Sequence, residues 1–215
     1  MNSLTFRQAQ DFGADIAAAY GASVISFGDS SVTVARTLLT AIAKVIPVPD
    51  ASKVIEAVFE HLDHVSCTIP TVGGSWIFLS NAAMTSPVTY AATLAHEAKH
   101  ARDIRTDGAR QTAVDYLLSA EMRATREADA YAVGIFVEHL LTGAAPTSDE
   151  ARESLSSSTY LLGDDDVAFA VEKIEGHIQT MVGGVVPPIG TAQRALNWLR
   201  TNAPEAILAS SFKVA

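Results

Sequence analysis

The chain has a single cysteine, and its basic side chains are outnumbered by acidic ones. Cys67 stands alone in 215 residues, so no disulfide forms within the chain and a disulfide-stapled scaffold is excluded. Its β-branched surroundings predict a small core residue. The 15 Lys and Arg residues stand against 24 Asp and Glu, and the formal net charge of −9 repels a phosphate backbone. The composition therefore predicts no nucleic-acid partner.

The chain also lacks a long, uninterrupted apolar run. Residues 1–12 are polar and contain no apolar signal-peptide core. The most apolar later stretch, residues 32–48, is broken by Arg36, Lys44 and Pro47, so it is too short and too charged to cross a bilayer. We therefore expect no membrane partner and a cytoplasmic location, with export by a leaderless route as the alternative.

Alanine is abundant, at about one position in six, which favours closely packed helices. Apolar spacing, capping residues and prolines predict helices over about residues 6–20, 30–45, 51–61, 87–105 and 165–181 and from residue 191 onwards. Residues 65–69 and 75–79 are instead short segments rich in β-branched and aromatic residues, which favour strands.

Residues 109–141 predict one long helix or two nearly collinear helices. Residues 65–69 and 75–79 predict a small hairpin, because Gly73 and Gly74 lie between them. The sequence therefore predicts a single domain over residues 1–215 that is mainly α with a small β element, an α+β class. Its core motif region covers about residues 75–142.

The most informative motif is His96-Glu97-Ala98-Lys99-His100, a HExxH pattern inside a predicted helix. Four residues are about 400° of helical rotation, so the two imidazoles project from one face, one turn apart. They are therefore placed to bind one zinc ion, for which Zn–N distances are roughly 2.0–2.1 Å. Glu97 lies about 100° round the helix from His96, where its carboxylate can deprotonate a water. The motif predicts Zn²⁺ as cofactor and Glu97 as the catalytic base.

The motif alone leaves the zinc site one ligand short, because catalytic zinc usually has three protein ligands and a water. A metzincin-type continuation needs glycine and histidine where Asp103 and Thr106 stand, so that subclass is excluded. The next helical segment offers Glu121 and Glu127, each about 60° from its apolar axis on opposite flanks. Asp129 points nearly away from that axis. Geometry leaves both glutamates open.

The HEAKH motif is followed by Arg126-Glu127-Ala128-Asp129-Ala130-Tyr131-Ala132, and together they resemble the gluzincin zinc metallopeptidases over about residues 76–141. The resemblance implies a zincin-like helical domain whose HExxH helix packs on a following long helix. It also implies that a glutamate of the second helix completes the zinc site, and that residues 76–79 form an edge strand along which an extended substrate binds.

The resemblance favours Glu127 as the third ligand, with Glu121 as the alternative. Glu121 remains open because this chain departs from the pattern of several such families, in which the ligand glutamate lies four residues before an Asp or Asn. Here the residue four positions before Asp129 is Thr125. Asp103, three residues after His100, is a candidate to accept a hydrogen bond from a ligand imidazole. The candidates for a group that stabilises the oxyanion are Tyr131, Tyr160, His177 and Tyr116.

These patterns predict a zinc-dependent metallopeptidase that hydrolyses a peptide or protein substrate. One alternative is a zincin-fold protein that binds metal but acts as an interaction module or a latent protease. A second alternative is an α-helical partner-binding protein in which the HExxH pattern is accidental. The sequence specifies neither the substrate nor the oligomeric state.

Overall fold

The computed structural model describes residues 3–26, 37, 66–71, 73–157, 159–209 and 212–213. The helices predicted over residues 30–45 and 51–61 lie outside these residues, apart from Thr37. The described part of the chain is mainly helical with a small three-stranded sheet, which confirms the predicted fold class. None of its helices is both long and apolar enough to cross a membrane.

Seven α-helices lie within the described ranges. They are α1 (Phe6–Ala19), α2 (Pro87–Asp107), α3 (Ala109–Leu118), α4 (Ala120–Thr142), α5 (Asp149–Leu155), α6 (Asp164–Val182) and α7 (Gly190–Asn202). The strands are β1 (Ala22–Ser26), β2 (Cys67–Thr71) and β3 (Gly74–Leu79). The predictions over residues 6–20, 87–105 and 165–181 are confirmed to within two residues at each end.

Local side-chain caps explain where the two central helices begin. The Ser86 hydroxyl accepts a hydrogen bond from the backbone N–H of Thr89, and Pro87 occupies the first helical position of α2. Ser119 accepts from the backbone N–H of Met122 in the same way and starts α4. Both caps satisfy backbone donors that a helix leaves free in its first turn.

Residues 109–141 form two helices that are not collinear, so this part of the prediction is wrong. Ser119 is extended, with φ −123° and ψ 111°, and separates α3 from α4. Tyr116 Oη lies 2.7 Å from Glu127 Oε1. Eleven residues of continuous helix rise about 16 Å, which is too far for these two side chains to meet. The chain therefore turns at Ser119, and α3 lies against the first turns of α4.

The sheet has the order β1-β3-β2. The predicted pairing of β2 with β3 is antiparallel, with Cys67 opposite Phe78. The unpredicted strand β1 pairs in parallel with β3, and Ala22 lies opposite Ser75. Residues 76–79 are therefore in the central strand of the described sheet, and the prediction of an edge strand there is wrong. Both hydrogen-bonding sides of β3 are already occupied, so a substrate cannot pair with it.

Cys67 lies in β2 and is only partly buried. It packs against a small apolar cluster formed by Ile69 and Phe78 rather than in the main core. Burial, and then the nearby Glu97 carboxylate, raise the pKa of the Cys67 thiol far above its usual value. The thiol is therefore protonated and unreactive at neutral pH, as expected for a packing residue.

The main apolar core surrounds α2 and includes residues from α1, α4 and α7. Gly134 of α4 packs directly on α2, because a Cβ there would lie 3.3 Å from the backbone O of Ala92 and 3.7 Å from the Cβ of His96. Seven residues earlier on α4, Glu127 lies against His96 and His100. Gly134 thus lies near Ala92, whereas Glu127, which comes earlier on α4, lies near His100, which comes later on α2. The two helices therefore run antiparallel and in close contact.

Candidate metal centre

Two helices bring three potential metal ligands together. His96 and His100 lie one turn apart on α2, and Glu127 faces them from α4. The two Nε2 atoms are 3.3 Å apart. Glu127 Oε2 lies 3.5 Å from Nε2 of His96, and Glu127 Oε1 lies 3.4 Å from Nε2 of His100. The three side chains therefore form a triangle of ligand groups, in which each imidazole faces a different oxygen of the Glu127 carboxylate.

The spacing of 3.3–3.5 Å between neighbouring donor atoms of these groups fits a tetrahedral metal ion. Zinc bonds of roughly 2.0–2.1 Å place neighbouring ligand atoms of a tetrahedron about 3.3–3.4 Å apart. Glu127 is buried, and its Oε2 has no hydrogen-bond partner among the described residues. A buried carboxylate oxygen without a partner is costly unless another positive group binds it. The donor set and this unpartnered oxygen both fit a divalent cation.

Charge within the triangle also favours an ionised Glu127. Burial acts to raise the pKa of Glu127, but His100 and His96 outweigh it and hold the pKa well below the usual range. Burial likewise acts to lower the pKa of His100, but the Glu127 and Glu97 carboxylates outweigh it and raise that pKa. The centre thus holds a charged carboxylate against two imidazoles, as a cation-binding site requires.

Glu97, the predicted base, is buried beside the two histidines. The Thr68 hydroxyl of β2 lies 2.8 Å from Glu97 Oε2 and 2.9 Å from the Glu97 backbone O, so it donates to one of these oxygens. Burial raises the pKa of Glu97, although His96, His100 and the Thr68 hydrogen bond oppose the rise. Glu97 is therefore held in one orientation and is more basic than a solvated carboxylate.

A cavity of about 750 Å³ opens beside the centre, and His96 and Glu97 line it. Tyr131 and Tyr160, two of the oxyanion candidates, also line this cavity. The Tyr131 ring stands edge-on to the His96 ring, with centroids 4.7 Å apart. The two phenol oxygens are 3.0 Å apart, and burial raises the pKa of Tyr131 to about 12. Protonated phenols are thus available as hydrogen-bond donors inside the cavity.

The structure places the other two oxyanion candidates elsewhere. Tyr116 donates a hydrogen bond to Glu127 and is not among the residues that line the cavity. His177 of α6 lies 3.2 Å from Asp129 Oδ1, and this contact holds α6 against α4. His177 is also not among the residues that line the cavity, so its position does not support the predicted oxyanion role.

Asp103 and Glu121 also differ from what the sequence predicts. Asp103 accepts a hydrogen bond from Lys99 Nζ at 2.8 Å and forms an ion pair with Arg126 Nη1 at 3.1 Å, instead of binding a ligand imidazole. The positive charges of these two buried side chains attract it more strongly than a neutral ring nitrogen would. Glu121 is exposed in the first turn of α4 and lies outside the triangle of ligand groups.

Buried charges connect the helices around the centre. Lys99 of α2 pairs with Asp129 of α4, 3.5 Å away, and Lys173 of α6 pairs with the same carboxylate at 2.8 Å. Arg126 pairs with Asp103, with Asp107 at 2.9 Å and with Asp115 at 2.8 Å. The acidic residues therefore come from α2, α3 and α4, and each of these helices is tied to its neighbours close to the ligands.

Sequence reasoning missed the roles of Thr68, Lys99 and Arg126. No local signal identifies Thr68, because its contact with Glu97 depends on how the sheet packs beside α2. For Lys99 the sequence contains a weak signal, because Lys99 and Asp103 are four residues apart in a helix whose other buried positions are largely apolar.

No protein-family model, curated protein or solved structure matches this chain.

Proposed function

We propose that the protein is a zinc-dependent metallopeptidase of the gluzincin type. In this proposal His96, His100 and Glu127 hold Zn²⁺, and Glu97 is the catalytic base. The observation that carries the proposal is the triangle of ligand groups, whose neighbouring donor atoms lie 3.3–3.5 Å apart next to a buried glutamate and a cavity. Three protein ligands would leave a fourth position at a bound zinc ion open to water, which supports hydrolysis rather than a purely structural role.

A zinc ion at such a site supplies Lewis acidity, which acidifies a water molecule and polarises the scissile carbonyl. Glu97 accepts the proton of the attacking water and transfers it to the leaving amine. The Thr68 hydrogen bond orients the Glu97 carboxylate, and burial raises its pKa, so both effects favour this proton transfer. The Tyr131 and Tyr160 phenols can donate hydrogen bonds to the oxyanion that develops on the substrate.

The cavity is where the peptide or protein substrate binds in this proposal. Because both sides of β3 are paired, the substrate backbone does not add to that strand. It lies instead between α4 and the segment around Ala82 and Ala83, which both line the cavity with Glu97. The proposal includes a cytoplasmic location and neither a nucleic-acid nor a membrane partner, on sequence grounds.

The experiment that tests the proposal compares Glu97→Gln with Glu121→Gln in the full chain. Glu97→Gln removes the base but no proposed ligand, so it should retain one zinc per chain and lose about 100- to 10,000-fold in hydrolysis. Glu121→Gln changes an exposed acid outside the site and should match the parent protein in both respects. Zinc content is measured by elemental analysis and hydrolysis with a broad peptide library.

Three results would separate the alternatives. Full hydrolysis by Glu97→Gln contradicts the proposed mechanism. One zinc per chain without hydrolysis of any library peptide favours the interaction module or latent protease. No bound zinc, together with a melting temperature that a chelator leaves unchanged, favours the partner-binding helical protein.

A further inference from the structure

The two carboxylate oxygens of Glu127 have different surroundings. Oε1 accepts a 2.7 Å hydrogen bond from the Tyr116 phenol. Oε2 is buried and has no hydrogen-bond partner among the described residues. Their distances to the nearer histidine nitrogen, 3.4 and 3.5 Å, are almost the same, so distance does not distinguish them. The hydrogen bond from Tyr116 distinguishes the two oxygens, because it uses a lone pair of Oε1 and leaves the lone pairs of Oε2 free.

From this difference we propose that Tyr116 is a positioning residue that holds Glu127 so that only Oε2 binds the metal. The inference rests on the proposed zinc site and adds how its third ligand is oriented. A carboxylate bound through one oxygen, together with two imidazoles, gives three protein ligands and leaves a fourth position for water. A carboxylate bound through both oxygens would occupy additional space at the ion.

Two arginines of α4 place Tyr116 where this hydrogen bond forms. Arg126, one residue before Glu127, pairs with Asp115 at 2.8 Å. Arg123, four residues before Glu127, donates to the backbone O of Tyr116 at 2.5 Å. Both arginines are buried. The helix that carries the ligand therefore also holds α3, and with it the phenol that orients the ligand.

The surroundings of Tyr116 are consistent with a fixed phenol. Its ring is perpendicular to the His100 ring, with centroids 6.5 Å apart. The Arg123 guanidinium lies over its face, 5.9 Å from the centroid. Contacts on the backbone, on the ring and at the hydroxyl leave the side chain little freedom to rotate, so the hydrogen bond to Oε1 is preformed rather than induced by metal.

The test loads the full chain with Co²⁺, whose visible spectrum reports coordination number, and measures zinc affinity in parallel. Tyr116→Phe keeps the ring and removes the donor, so the Glu127 carboxylate is free to bind through both oxygens. We expect the visible absorbance of the cobalt protein to fall at least about twofold as four-coordination is lost. The zinc Kd should rise by roughly 10–100-fold, the usual effect of losing a partner of a metal ligand.

Tyr90→Phe is the matched control, because Tyr90 is a largely buried tyrosine of α2 that packs on α1. It should leave both the cobalt spectrum and the zinc Kd unchanged. If Tyr116→Phe does not fold, Asp115→Asn removes a charge that holds α3 while leaving the phenol, and it should shift the spectrum in the same direction.

The outcomes distinguish this inference from the proposed function. If the parent protein binds neither Co²⁺ nor Zn²⁺, the zinc site and the role of Tyr116 are both wrong. If the parent protein binds cobalt and Tyr116→Phe, or Asp115→Asn in its place, shows an unchanged spectrum and affinity, only the role of Tyr116 is wrong. A loss of zinc affinity that Tyr90→Phe shares also contradicts a specific role for Tyr116.

Discussion

The two sides of α2 are packed by opposite chemistry. Towards α1, Leu94 and Tyr90 pack so closely that a Cβ on Gly13 would lie 2.6 Å from a Leu94 methyl carbon. Towards α4, the contacts near the ligands are charged, and Lys99 and Arg126 are buried among carboxylates. The interface of α2 with α1 is thus apolar, whereas its interface with α4 also contains buried ions close to the ligands.

The difference separates what stabilises the fold from what orients the site. Apolar burial is favourable in proportion to area and does not require a particular geometry. Buried ion pairs gain little net stability, because desolvation offsets their attraction, but their directional contacts fix how two helices meet. We therefore expect changes on the apolar side to alter stability alone, and changes on the charged side to alter metal binding as well.

The largest combined effect on unfolding free energy and zinc affinity is expected from Arg126→Met. This change removes the guanidinium that pairs with Asp103, Asp107 and Asp115. Removing one partner of a buried ion pair costs about 3–5 kcal/mol of unfolding free energy. Zinc affinity should fall too, because the carboxylates of α2 and α3 lose the ion pairs that tie them to the residue next to Glu127. Urea unfolding and zinc titration measure the two effects. Unchanged zinc affinity in a folded variant would contradict an orienting role for the charges.

Leu94→Ala makes the corresponding change on the apolar side. Leu94 is fully buried, and truncating such a leucine costs about 2–5 kcal/mol. The folded fraction should nevertheless bind zinc as tightly as the parent protein, although Leu94 lies only two residues from His96. The same two measurements apply, with the exposed Val182→Ala as control. A fall in zinc affinity equal to that of Arg126→Met would remove the distinction between the two sides.

Zinc bound to the ligands on the α4 side of α2 should stabilise the folded protein. Zinc at 100 times its Kd should add about 2.7 kcal/mol to the unfolding free energy, because it binds the folded state. Leu94→Ala should show the same gain from its lower starting stability, and Glu127→Ala should show almost none. Denaturation in zinc and in chelator gives the two values for each protein. Equal gains in Glu127→Ala and the parent protein would mean that zinc binds elsewhere.

The smallest effect on unfolding free energy and zinc affinity is expected from Arg152→Ala. Arg152 pairs with Glu175 at 3.4 Å, but both side chains are more than half exposed. Exposed ion pairs contribute about 0–1 kcal/mol, since water and salt screen them. Urea unfolding should show a change within that range and zinc titration no change. A loss of unfolding free energy as large as that of Arg126→Met would show that burial does not determine how much each arginine contributes to stability.

The central helices illustrate how far local sequence determines this fold. Ser86 and Pro87 predict the start of α2, because a side-chain cap and a fixed proline φ act within one turn. The sequence allows one helix or two nearly collinear helices over residues 109–141, but it indicates neither the position of the break at Ser119 nor the change of direction there, because helix-forming residues lie on both sides. Strand β1 was missed for a similar reason: its hydrogen bonds are made with Ser75–Leu79, about 50 residues away.

The sequence by itself determined the HExxH pair and its helix, because a four-residue spacing brings two imidazoles to one face in any α-helix. It narrowed the third ligand to two glutamates and could not choose between them from geometry. Only the tertiary structure placed Glu127 against the histidines, Thr68 on Glu97 and Tyr116 on Glu127. These contacts join separate elements, so they depend on how α2, α3, α4 and the sheet pack, and no local pattern encodes that packing.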